Sequence, residues 1–320
     1  MDYLRKLVRI IKQSRRTVIA THIDPDCDGI SAALGCAYLV RRYKRRKPTL
    51  FCYSPIPSKY RFLLRKWRFV RTLPPCDLLI AVDSAGMIRI FPDADSLTSA
   101  QLHSKVIVNI DHHKSNDAFG ELQIVREKAS SSCEIIYDLF KKLRIKFDRY
   151  LAEILYSGIY MDTGGFVYSN TTASSLKVAA ELISLGVRPG QLVKNLNEKT
   201  LDGTLLLSRV LKTIKIKHGV GVMWLTQDML KSGDANMADS ENFVSFLQAI
   251  EDVKVSLFLR EEHGATRISL RSDGIIDVDK FARRYGGGGH RAAAGIRLKK
   301  DIDTAKREML SALLRELGKK

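Results

Sequence analysis

A short acidic segment that directly follows an apolar run restricts the fold of this chain more than any other feature. Residues 18–20 predict the end of a buried strand. Polar side chains then occupy alternate positions: His22, Asp24, Asp26 and Asp28. Pro25 favours extended backbone at Asp24, so these side chains are expected to point to one side. Carboxylates this close repel one another. The segment is therefore either a solvated acidic turn or a cation site.

Two further apolar runs end in the same kinds of residue. Residues 78–82 lead into Asp83, and residues 106–110 lead into Asp111, His112 and His113. Short apolar runs that alternate with helical segments predict a buried parallel sheet. The carboxyl ends of neighbouring strands in a doubly wound sheet share one crevice, where these residues should converge. Taken singly, Asp83 could cap a helix, Asp111 could form a turn and His113 could be a core histidine. Together with the acidic segment after residues 18–20, however, all three strand ends carry metal-type ligands.

Helical segments account for most of the remaining N-terminal half. They are predicted at residues 3–13, 29–44, 131–143, 148–161 and 172–185, with another strand at 49–53. Ser131 and Glu134 have the spacing of a reciprocal capping box at the start of one helix. Asp162 follows another helix and precedes the small residues Gly164 and Gly165, which allow close approach. Asp162 is thus a further candidate ligand.

The sequence pattern changes after about residue 190. A chain of 320 residues suggests about two domains. Strand-like segments at 220–225, 253–259 and 267–270 surround short helices, and a last helix is predicted at 302–317. We therefore predict an α/β fold. Residues 1–190 form a parallel-sheet domain, residues 191–212 form a helical linker, and residues 213–320 form a smaller α/β domain.

Basic residues give the chain a net charge of +18. They are concentrated in residues 41–47 and 59–71, which either form a solvated surface or attract nucleic-acid or nucleotide phosphates. The chain has 5 scattered cysteines, no CxxC pair, no signal peptide and no apolar run long enough to cross a membrane. These features predict a cytoplasmic protein without a zinc finger or a disulfide framework.

The candidate ligands also indicate which ion would bind. Carboxylate oxygens with one or two imidazoles suit Mn²⁺ or Mg²⁺ better than a structural zinc site. The acids are too numerous for one ion. Two ions about 3.5–4 Å apart, bridged by a carboxylate, are the usual arrangement for in-line attack on a phosphate. In the C-terminal half, the run Gly286–Gly289 before His290 and Arg291 is either a flexible loop or a phosphate-binding segment.

These residues, taken in order, resemble the four motifs of the DHH phosphoesterases. The matching segments are residues 22–28, 82–84, 111–113 and 162–165. Residues 269–272 and 286–290 resemble the associated DHHA1 domain. The resemblance covers nearly the whole chain. It implies a parallel-sheet DHH domain followed by a smaller DHHA1 domain.

The resemblance also implies roles for individual residues. Two Mn²⁺ ions, replaceable by Mg²⁺ or Co²⁺, would be held by His22, Asp26, Asp28, Asp83, His112 and Asp162, with Asp83 as the bridge. Asp111 would orient His112, and His113 would contact the scissile phosphate. Asp24 would support the loop without binding metal. The substrate-binding residues would be Arg271, Ser272, Gly287, Gly288, Gly289, His290 and Arg291, across a cleft from the metals.

The implied activity is Mn²⁺-dependent hydrolysis of short RNA or DNA oligonucleotides and dinucleotides to mononucleotides. Hydrolysis of 3′,5′-bisphosphorylated adenosine to AMP is a related expectation. The first motif, with Gly29 after Asp28, is closer to the RecJ-like exonucleases, and Cys27 between two ligands is unusual. A single-strand exonuclease, a cyclic-dinucleotide (c-di-AMP) phosphodiesterase and a non-enzymatic nucleotide-binding protein are therefore alternatives. No membrane partner is expected, and a homodimer is compatible with the sequence.

Overall fold

The chain folds into two units, Met1–Glu198 and Lys199–Lys320, each with its own hydrophobic core. The computed structural model describes residues 2–93 and 106–318. Strands are numbered here in chain order, and helices are named by their residue ranges. No described helix combines the length and apolar character needed to cross a bilayer.

A parallel sheet forms the centre of the first unit. Its strands are β1 (Thr17–Ala20), β2 (Thr49–Phe51), β3 (Phe69–Val70), β4 (Leu78–Val82), β5 (Val106–Asp111) and β6 (Leu122–Val125). They are arranged in the order β3-β2-β1-β4-β5-β6, and each neighbouring pair is parallel. Strands β1 and β4 are buried along their whole length, which explains their continuous apolar sequence. The predicted α/β class and parallel sheet are confirmed.

Helices cover the sheet of the first unit. Their bounds are Asp2–Gln13, Cys27–Tyr43, Arg61–Leu64, Ser132–Lys142, Arg149–Asp162, Ala173–Ser184 and Pro189–Asn197. The helix Cys27–Tyr43 is almost entirely buried because helices Ser132–Lys142 and Arg149–Asp162 pack against it. Its small residues permit this close approach. An added Cβ at Gly35 would lie 3.0 Å from Ile136.

The start of the helix Ser132–Lys142 differs from the predicted capping box. Ser131 Oγ accepts the Glu134 N–H at 3.1 Å, as expected. The Glu134 carboxylate, however, accepts the N–H and the hydroxyl of Ser130, both at 2.7 Å, and not the N–H of Ser131. Its other oxygen accepts the hydroxyl of Ser174 at 2.6 Å. The reciprocal half of the prediction is wrong because this buried carboxylate joins two helices.

The second unit is built on a mixed sheet. Its strands are β7 (Lys215–Lys217), β8 (Val220–Leu225), β9 (Val255–Glu262), β10 (Ala265–Ser272), β11 (Gly288–His290) and β12 (Ala293–Leu298), in the order β11-β12-β10-β9-β8-β7. Only β8 and β9 pair in parallel among these described strands. The helices are Leu201–Leu211, Gln227–Lys231, Val244–Gln248, Val278–Arg283 and Ile302–Leu317.

Part of the glycine run belongs to a strand, which its sequence does not predict. Gly288 and Gly289 in β11 pair with Gly295 and Ala294 in β12. Glycine is unfavourable in strands except where another backbone comes close. An added Cβ at Gly287 would lie 2.2 Å from the carbonyl oxygen of Gly295. The glycines therefore allow backbone packing at this edge of the sheet.

Candidate metal centre

Acidic and imidazole side chains gather at the carboxyl ends of β1, β4 and β5. His22 follows β1, Asp83 follows β4, and His112 and His113 follow β5. Asp26 and Asp28 lie at the start of the helix Cys27–Tyr43, and Asp162 is the last residue of the helix Arg149–Asp162. Parallel pairing of the strands brings these ends to one edge of the sheet, as the sequence predicts.

The ligand atoms form three overlapping groups within the described part of the chain. The groups are His22 with Asp26 and Asp83, Asp28 with His112 and Asp162, and Asp83 with His112 and His113. In each group, one atom from every residue lies within 4.8 Å of the others. The six residues predicted as metal ligands therefore lie together, and Asp83 and His112 each belong to two groups.

Asp83 joins the groups through its two carboxylate oxygens. Oδ2 lies 3.6 Å from His22 Nε2, and Oδ1 lies 3.5 Å from His112 Nε2. The side chain is buried, and the backbone adopts a left-handed conformation with φ +54°. A non-glycine residue in this region is strained, and such strain is commonly found at functional sites. The carboxylate is thus placed between two imidazoles that follow different strands.

Asp28 is held by the N-terminus of a helix distant in sequence. Its Oδ2 accepts the N–H of Ser132 at 2.7 Å, and its Oδ1 accepts the N–H of Cys133 at 3.0 Å. Ser132 Oγ also donates to Asp83 Oδ1 at 3.0 Å. Helix N-termini favour negative charge. Ser132 was not predicted as a site residue, and its only signal in the sequence is its place after the capping residue Ser131.

The two imidazoles are oriented by backbone carbonyl oxygens. His22 Nδ1 lies 2.7 Å from the carbonyl oxygen of Ile23, and His112 Nδ1 lies 3.3 Å from that of Ala129. Nε2 of each ring faces the carboxylates. The expectation that Asp111 orients His112 is therefore wrong.

Asp111 contacts the neighbouring histidine instead. Its Oδ1 lies 2.7 Å from His113 Nδ1, and its Oδ2 accepts the Asn116 side-chain N–H at 2.6 Å. Residues two apart in extended backbone point to the same side, which explains why Asp111 meets His113 and not His112. Asn116 is a further supporting residue that the sequence did not single out.

The acidic segment itself is not extended throughout. Asp24 has φ +53°, and its N–H and carboxylate are hydrogen-bonded to Ser54 Oγ at 3.0 and 3.3 Å. The expectation of extended backbone at Asp24 is wrong. Asp26 caps the helix by accepting the Gly29 N–H at 3.0 Å, and Asp28 lies in the first turn. Asp26 and Asp28 thus reach the site from a helix N-terminus, and Asp24 belongs to none of the ligand groups described above.

Glycines make room for the ligands. An added Cβ at Gly29 would lie 2.4 Å from Thr21 Oγ1 and 3.2 Å from both Asp83 Oδ2 and His22 Nε2. An added Cβ at Gly158 would lie 2.7 Å from Asp28 Oδ1 and 2.3 Å from Cys133 Sγ. Any larger residue at either position must displace the groups around it.

Burial and mutual contact change the proton affinities of these side chains. Burial lowers the pKa of His22, but the Asp26 and Asp83 carboxylates outweigh burial and raise this pKa to about 10. Burial raises the pKa of Asp162 to about 7, and it also raises the pKa of Asp28, with further repulsion from Asp83 and Asp162. Without a metal ion, therefore, protons on His22, Asp28 and Asp162 offset part of the negative charge of the cluster, while contacts with the imidazoles lower the pKa values of Asp26 and Asp83.

The donor set fits divalent cations. The three overlapping groups contain only carboxylate oxygens and imidazole nitrogens, the mixture that suits Mn²⁺ and related ions. Both oxygens of Asp83 are directed at different imidazoles, so one carboxylate can serve two neighbouring ion positions.

The residues predicted to bind substrate in the second unit are only partly available. Ser272 is buried, and its Oγ accepts the N–H groups of Gly274 and Ile276 at 3.1 and 3.3 Å. The Gly289 N–H donates to Asp279 Oδ1 at 2.9 Å. These groups are used by hydrogen bonds within the second unit, whereas the sequence predicted that they would face a ligand.

Strand pairing gathers the remaining candidates. The backbone of His290 lies opposite Ala293, which lies opposite Arg271. The side chain of His290 lies outside the described part of the structure. Arg271 Nε is buried and has no hydrogen-bond partner among the described residues, while Nη1 donates to the Leu270 carbonyl at 2.9 Å. Gly287 and Gly288 precede His290, and Arg291 follows it, at the same edge of the sheet.

Comparison with known proteins gives consistent matches over both units. Residues 16–159 match the N-terminal domain of the DHH family, and residues 219–319 match the DHHA1 domain. A Thermus thermophilus protein named bifunctional oligoribonuclease and PAP phosphatase NrnA is 33% identical, over 99% of this chain and 95% of its own length.

Solved structures share the fold. An exopolyphosphatase-related protein from Bacteroides fragilis superposes with a TM-score of 0.85 at 23% identity, covering 99% of this chain and 96% of its own. RecJ from Thermus thermophilus, in complex with Mn²⁺, gives a TM-score of 0.52 at 13% identity, over 93% of this chain and 52% of its own. From these matches and the arrangement of its acidic and imidazole residues, the chain belongs to the DHH family, with a DHH domain followed by a DHHA1 domain.

Proposed function

We propose that this protein is a Mn²⁺-dependent phosphoesterase that hydrolyses short oligoribonucleotides and dinucleotides to mononucleotides. Hydrolysis of 3′,5′-bisphosphorylated adenosine to AMP belongs to the same proposal. The observation that carries it is the Asp83 carboxylate, whose two oxygens face His22 and His112 at 3.6 and 3.5 Å. The Thermus thermophilus relative, named an oligoribonuclease and PAP phosphatase, supports this choice of substrates.

We assign the metal ligands by their grouping. His22 and Asp26 would hold one ion, Asp28, His112 and Asp162 would hold the second, and Asp83 would contact both. Two bound Mn²⁺ ions would lower the pKa of a water molecule and stabilise charge on the phosphate oxygens. Ser132, which donates to Asp83 Oδ1, would fix the angle of the bridging carboxylate.

His113 would act on the substrate phosphate, and Asp111 would position His113. Asp111 accepts a hydrogen bond from His113 Nδ1–H at 2.7 Å and thereby holds the ring in one orientation. Asn116 in turn fixes Asp111. A ring held in this way can contact a phosphate oxygen at the metal centre. Asp111 acts through His113, so it is a positioning residue.

The second unit would bind the nucleotide end of the substrate. Arg271 is the best-supported residue for this role, because its Nε is buried and has no partner in the part of the chain that the structure describes. We propose that Gly287, Gly288, His290 and Arg291 act with it. His290 and Arg271 lie in register on either side of Ala293, and the other three residues lie next to His290 in the chain or close to it, which supports this grouping. Ser272 and the Gly289 N–H are left out, since the fold already uses them.

The alternatives have weaker support. RecJ superposes less well than the Bacteroides protein, and this chain covers only 52% of it. A cyclic-dinucleotide substrate has no specific observation in its favour, and the gathered ligand set argues against a protein that only binds nucleotides. Within the described residues, none of the 5 buried cysteines forms a disulfide, in support of a cytoplasmic location. A homodimer stays a prediction for sedimentation to test.

A substrate panel tests the proposed function directly. Hydrolysis of a ribodinucleotide, adenosine 3′,5′-bisphosphate, c-di-AMP and a long single strand should be compared with Mn²⁺ and with a chelator. We expect rapid, chelator-sensitive hydrolysis of the first two substrates. Preference for the long strand or for c-di-AMP would replace the proposal by the corresponding alternative.

An Arg271→Ala variant should raise KM more than it lowers kcat.

A further inference from the structure

The basic residues between positions 41 and 71 take no part in the proposed function, and the structure divides them into two sets. In the later set, Arg65 pairs with Glu153 at 3.1 Å and lies 3.9 Å over the ring of Tyr150. Arg68 donates to two backbone carbonyl oxygens of its own loop at 2.9 Å. These cations hold their own segment in place.

Lys44, Arg46 and Lys47 of the earlier set, residues 41–47, line a cavity of about 210 Å³ at the amino ends of β1 and β2. Its cationic lining residues are Arg15, Arg16, Lys44, Arg46 and Lys47, and the other lining residues are uncharged. Arg15 and Arg16 are distant in sequence from the basic block, so only the folded chain brings these charges together. The cavity is thus a concave, strongly basic surface.

Little negative charge compensates this cavity. Lys44 Nζ donates to the backbone carbonyl oxygens of Lys12 and Ser14 at 2.9 and 2.5 Å, and neutral acceptors leave its charge in place. The Asp77 carboxylate accepts the backbone N–H groups of Arg15 and Arg16 at 2.7 and 2.9 Å, and it offsets one charge. The remaining cations therefore create a local excess of positive charge.

The exposed cations of the cavity are not consumed by other contacts. Within residues 2–93 and 106–318, no ion pair uses Arg15, Arg16, Arg46 or Lys47. An anion that enters the cavity would therefore not have to displace a carboxylate from these side chains.

The cavity lies at the opposite end of the sheet from the candidate metal centre. Arg16 precedes the first residue of β1, and His22 follows the last. At about 3.3 Å per residue, this stretch of extended chain spans on the order of 20 Å. A dinucleotide at the metal centre would leave the cavity empty. The basic cavity is therefore a separate site.

We propose that this cavity binds the phosphate groups of single-stranded RNA that is longer than the substrates of the metal centre. Arginine binds phosphate through paired hydrogen bonds, and lysine binds it as a point charge. None of the lining residues within 2–93 and 106–318 is aromatic and able to stack on bases, so binding depends on backbone charge and not on sequence. The choice of RNA rests on the proposed function, because RNA is the polymer that yields such substrates. The assignment of the cavity as a phosphate-binding site does not rest on the proposed function.

The test is a variant that carries Arg15→Gln, Arg16→Gln, Arg46→Gln and Lys47→Gln together. Binding of a fluorescent RNA of about 24 nucleotides is measured by anisotropy, with a chelator to prevent hydrolysis, over a series of salt concentrations. We expect affinity at low salt to fall about tenfold or more, and the salt dependence to lose a slope of about 2–3, since each phosphate contact contributes about 0.7.

The matched control removes the same charge from exposed lysines elsewhere in the first unit, Lys128→Gln, Lys146→Gln, Lys177→Gln and Lys194→Gln. This control should keep RNA affinity near that of the unaltered protein. Equal loss in both variants, or no loss in the cavity variant, overturns the proposal. A double variant, Arg46→Gln with Lys47→Gln, gives a smaller loss and replaces the quadruple variant if that protein misfolds.

Three further measurements distinguish RNA binding from other roles of the cavity. Dinucleotide hydrolysis should be unchanged in the cavity variant. If the unaltered protein does not hydrolyse dinucleotides, the proposed function is refuted, but the proposal that the cavity binds phosphate groups is not. Inorganic tripolyphosphate should compete with RNA for the unaltered protein. Cavity-dependent binding to anionic vesicles without cavity-dependent RNA binding would assign the site to membranes and overturn the RNA proposal.

Discussion

Asp83 connects the two halves of the candidate metal centre through one side chain. Its oxygens face His22 and His112, and Ser132 donates to one of them. Its left-handed backbone costs about 1–3 kcal/mol, a strain that the buried surroundings must offset. This conformation turns the carboxylate at the point where β4 ends. No other residue of the described site lies between both imidazoles in this way.

Replacing Asp83 by alanine should abolish Mn²⁺-dependent hydrolysis. The change removes the only ligand proposed to touch both ions, so we expect kcat/KM to fall by about three orders of magnitude or more. Dinucleotide hydrolysis and Mn²⁺ titration measure the effect. Asp24→Ala is the matched control, because Asp24 is bonded to Ser54 and belongs to none of the described ligand groups. Full activity of the Asp83 variant would refute the metal assignment.

Asp111→Asn should impair turnover without releasing metal. The asparagine cannot accept hydrogen bonds from both His113 and Asn116, so His113 loses its fixed orientation. We expect kcat to fall about 10–100-fold while Mn²⁺ affinity and KM change little. Kinetics together with calorimetric Mn²⁺ binding separate these quantities. A large loss of Mn²⁺ affinity would instead make Asp111 part of the metal site.

Two helix N-termini and one helix interior build the site at the level of whole elements. Asp26 caps the helix Cys27–Tyr43, and Asp28 accepts two N–H groups from the start of the helix Ser132–Lys142. The helix Arg149–Asp162 packs against both and brings Gly158 next to Asp28. Cys27 is buried and its Sγ lies 3.9 Å from Ser31 Oγ, so its place between two ligands reflects packing.

Gly158→Ala should disturb the site although Gly158 has no chemistry of its own. The added methyl group would lie 2.3 Å from Cys133 Sγ and 2.7 Å from Asp28 Oδ1, so the helices must separate or Asp28 must move. We expect a loss of about 1–3 kcal/mol in the free energy of unfolding, and weaker Mn²⁺ binding. Chemical denaturation and Mn²⁺ titration measure these effects.

Gly190→Ala is the control for this substitution. No atom of the described residues lies within 4 Å of an added Cβ at Gly190, which is also in a helix, so stability should be unchanged or slightly raised. If Gly158→Ala behaves like Gly190→Ala, the helices pack less closely around Asp28 than the structure indicates.

Proton binding links the metal centre to the stability of the whole molecule. Burial raises the pKa of Asp162 to about 7. Burial lowers the pKa of His22, but the Asp26 and Asp83 carboxylates outweigh burial and raise this pKa to about 10. Both groups therefore carry protons in the metal-free protein near neutral pH. A metal ion must displace these protons to bind.

Binding of Mn²⁺ should therefore release protons. At pH 7 we expect a release of about one proton or more per protein, and an affinity that rises with pH. Calorimetry in buffers of different ionisation enthalpy measures the number released. Identical heats in all buffers would contradict the protonated, metal-free cluster.

The metal-free protein should lose stability as pH rises from 6.5 to 8. For both groups the folded pKa lies above the ordinary value, which is 3.8 for Asp162 and 6.5 for His22. Their contributions are fully present below those values and decline as pH rises through the folded pKa of about 7 and about 10, respectively. Urea unfolding at several pH values measures this, and Asp162→Asn should flatten the decline. Added Mn²⁺ should restore stability at pH 8.

Local sequence was enough to predict the parallel sheet and the convergence of the ligands. Continuous apolar runs at β1, β4 and β5 indicate strands buried on both faces, and such strands end at a common edge. The short edge strands β3 and β6 carry no comparable run, and β11 consists mostly of glycine. Their pairing depends on partners distant in the chain, which local sequence does not encode.

The conformation of the acidic segment, by contrast, depends on tertiary packing. Three carboxylates at alternate positions suggested one extended row, but Asp24 turns to Ser54 while Asp26 and Asp28 enter a helix. The N–H groups that hold Asp28 lie more than 100 residues away, at Ser132 and Cys133. A carboxylate takes its position from the donors that approach it in space. Ligand identity is therefore local information, whereas ligand orientation follows from the packing of the whole unit.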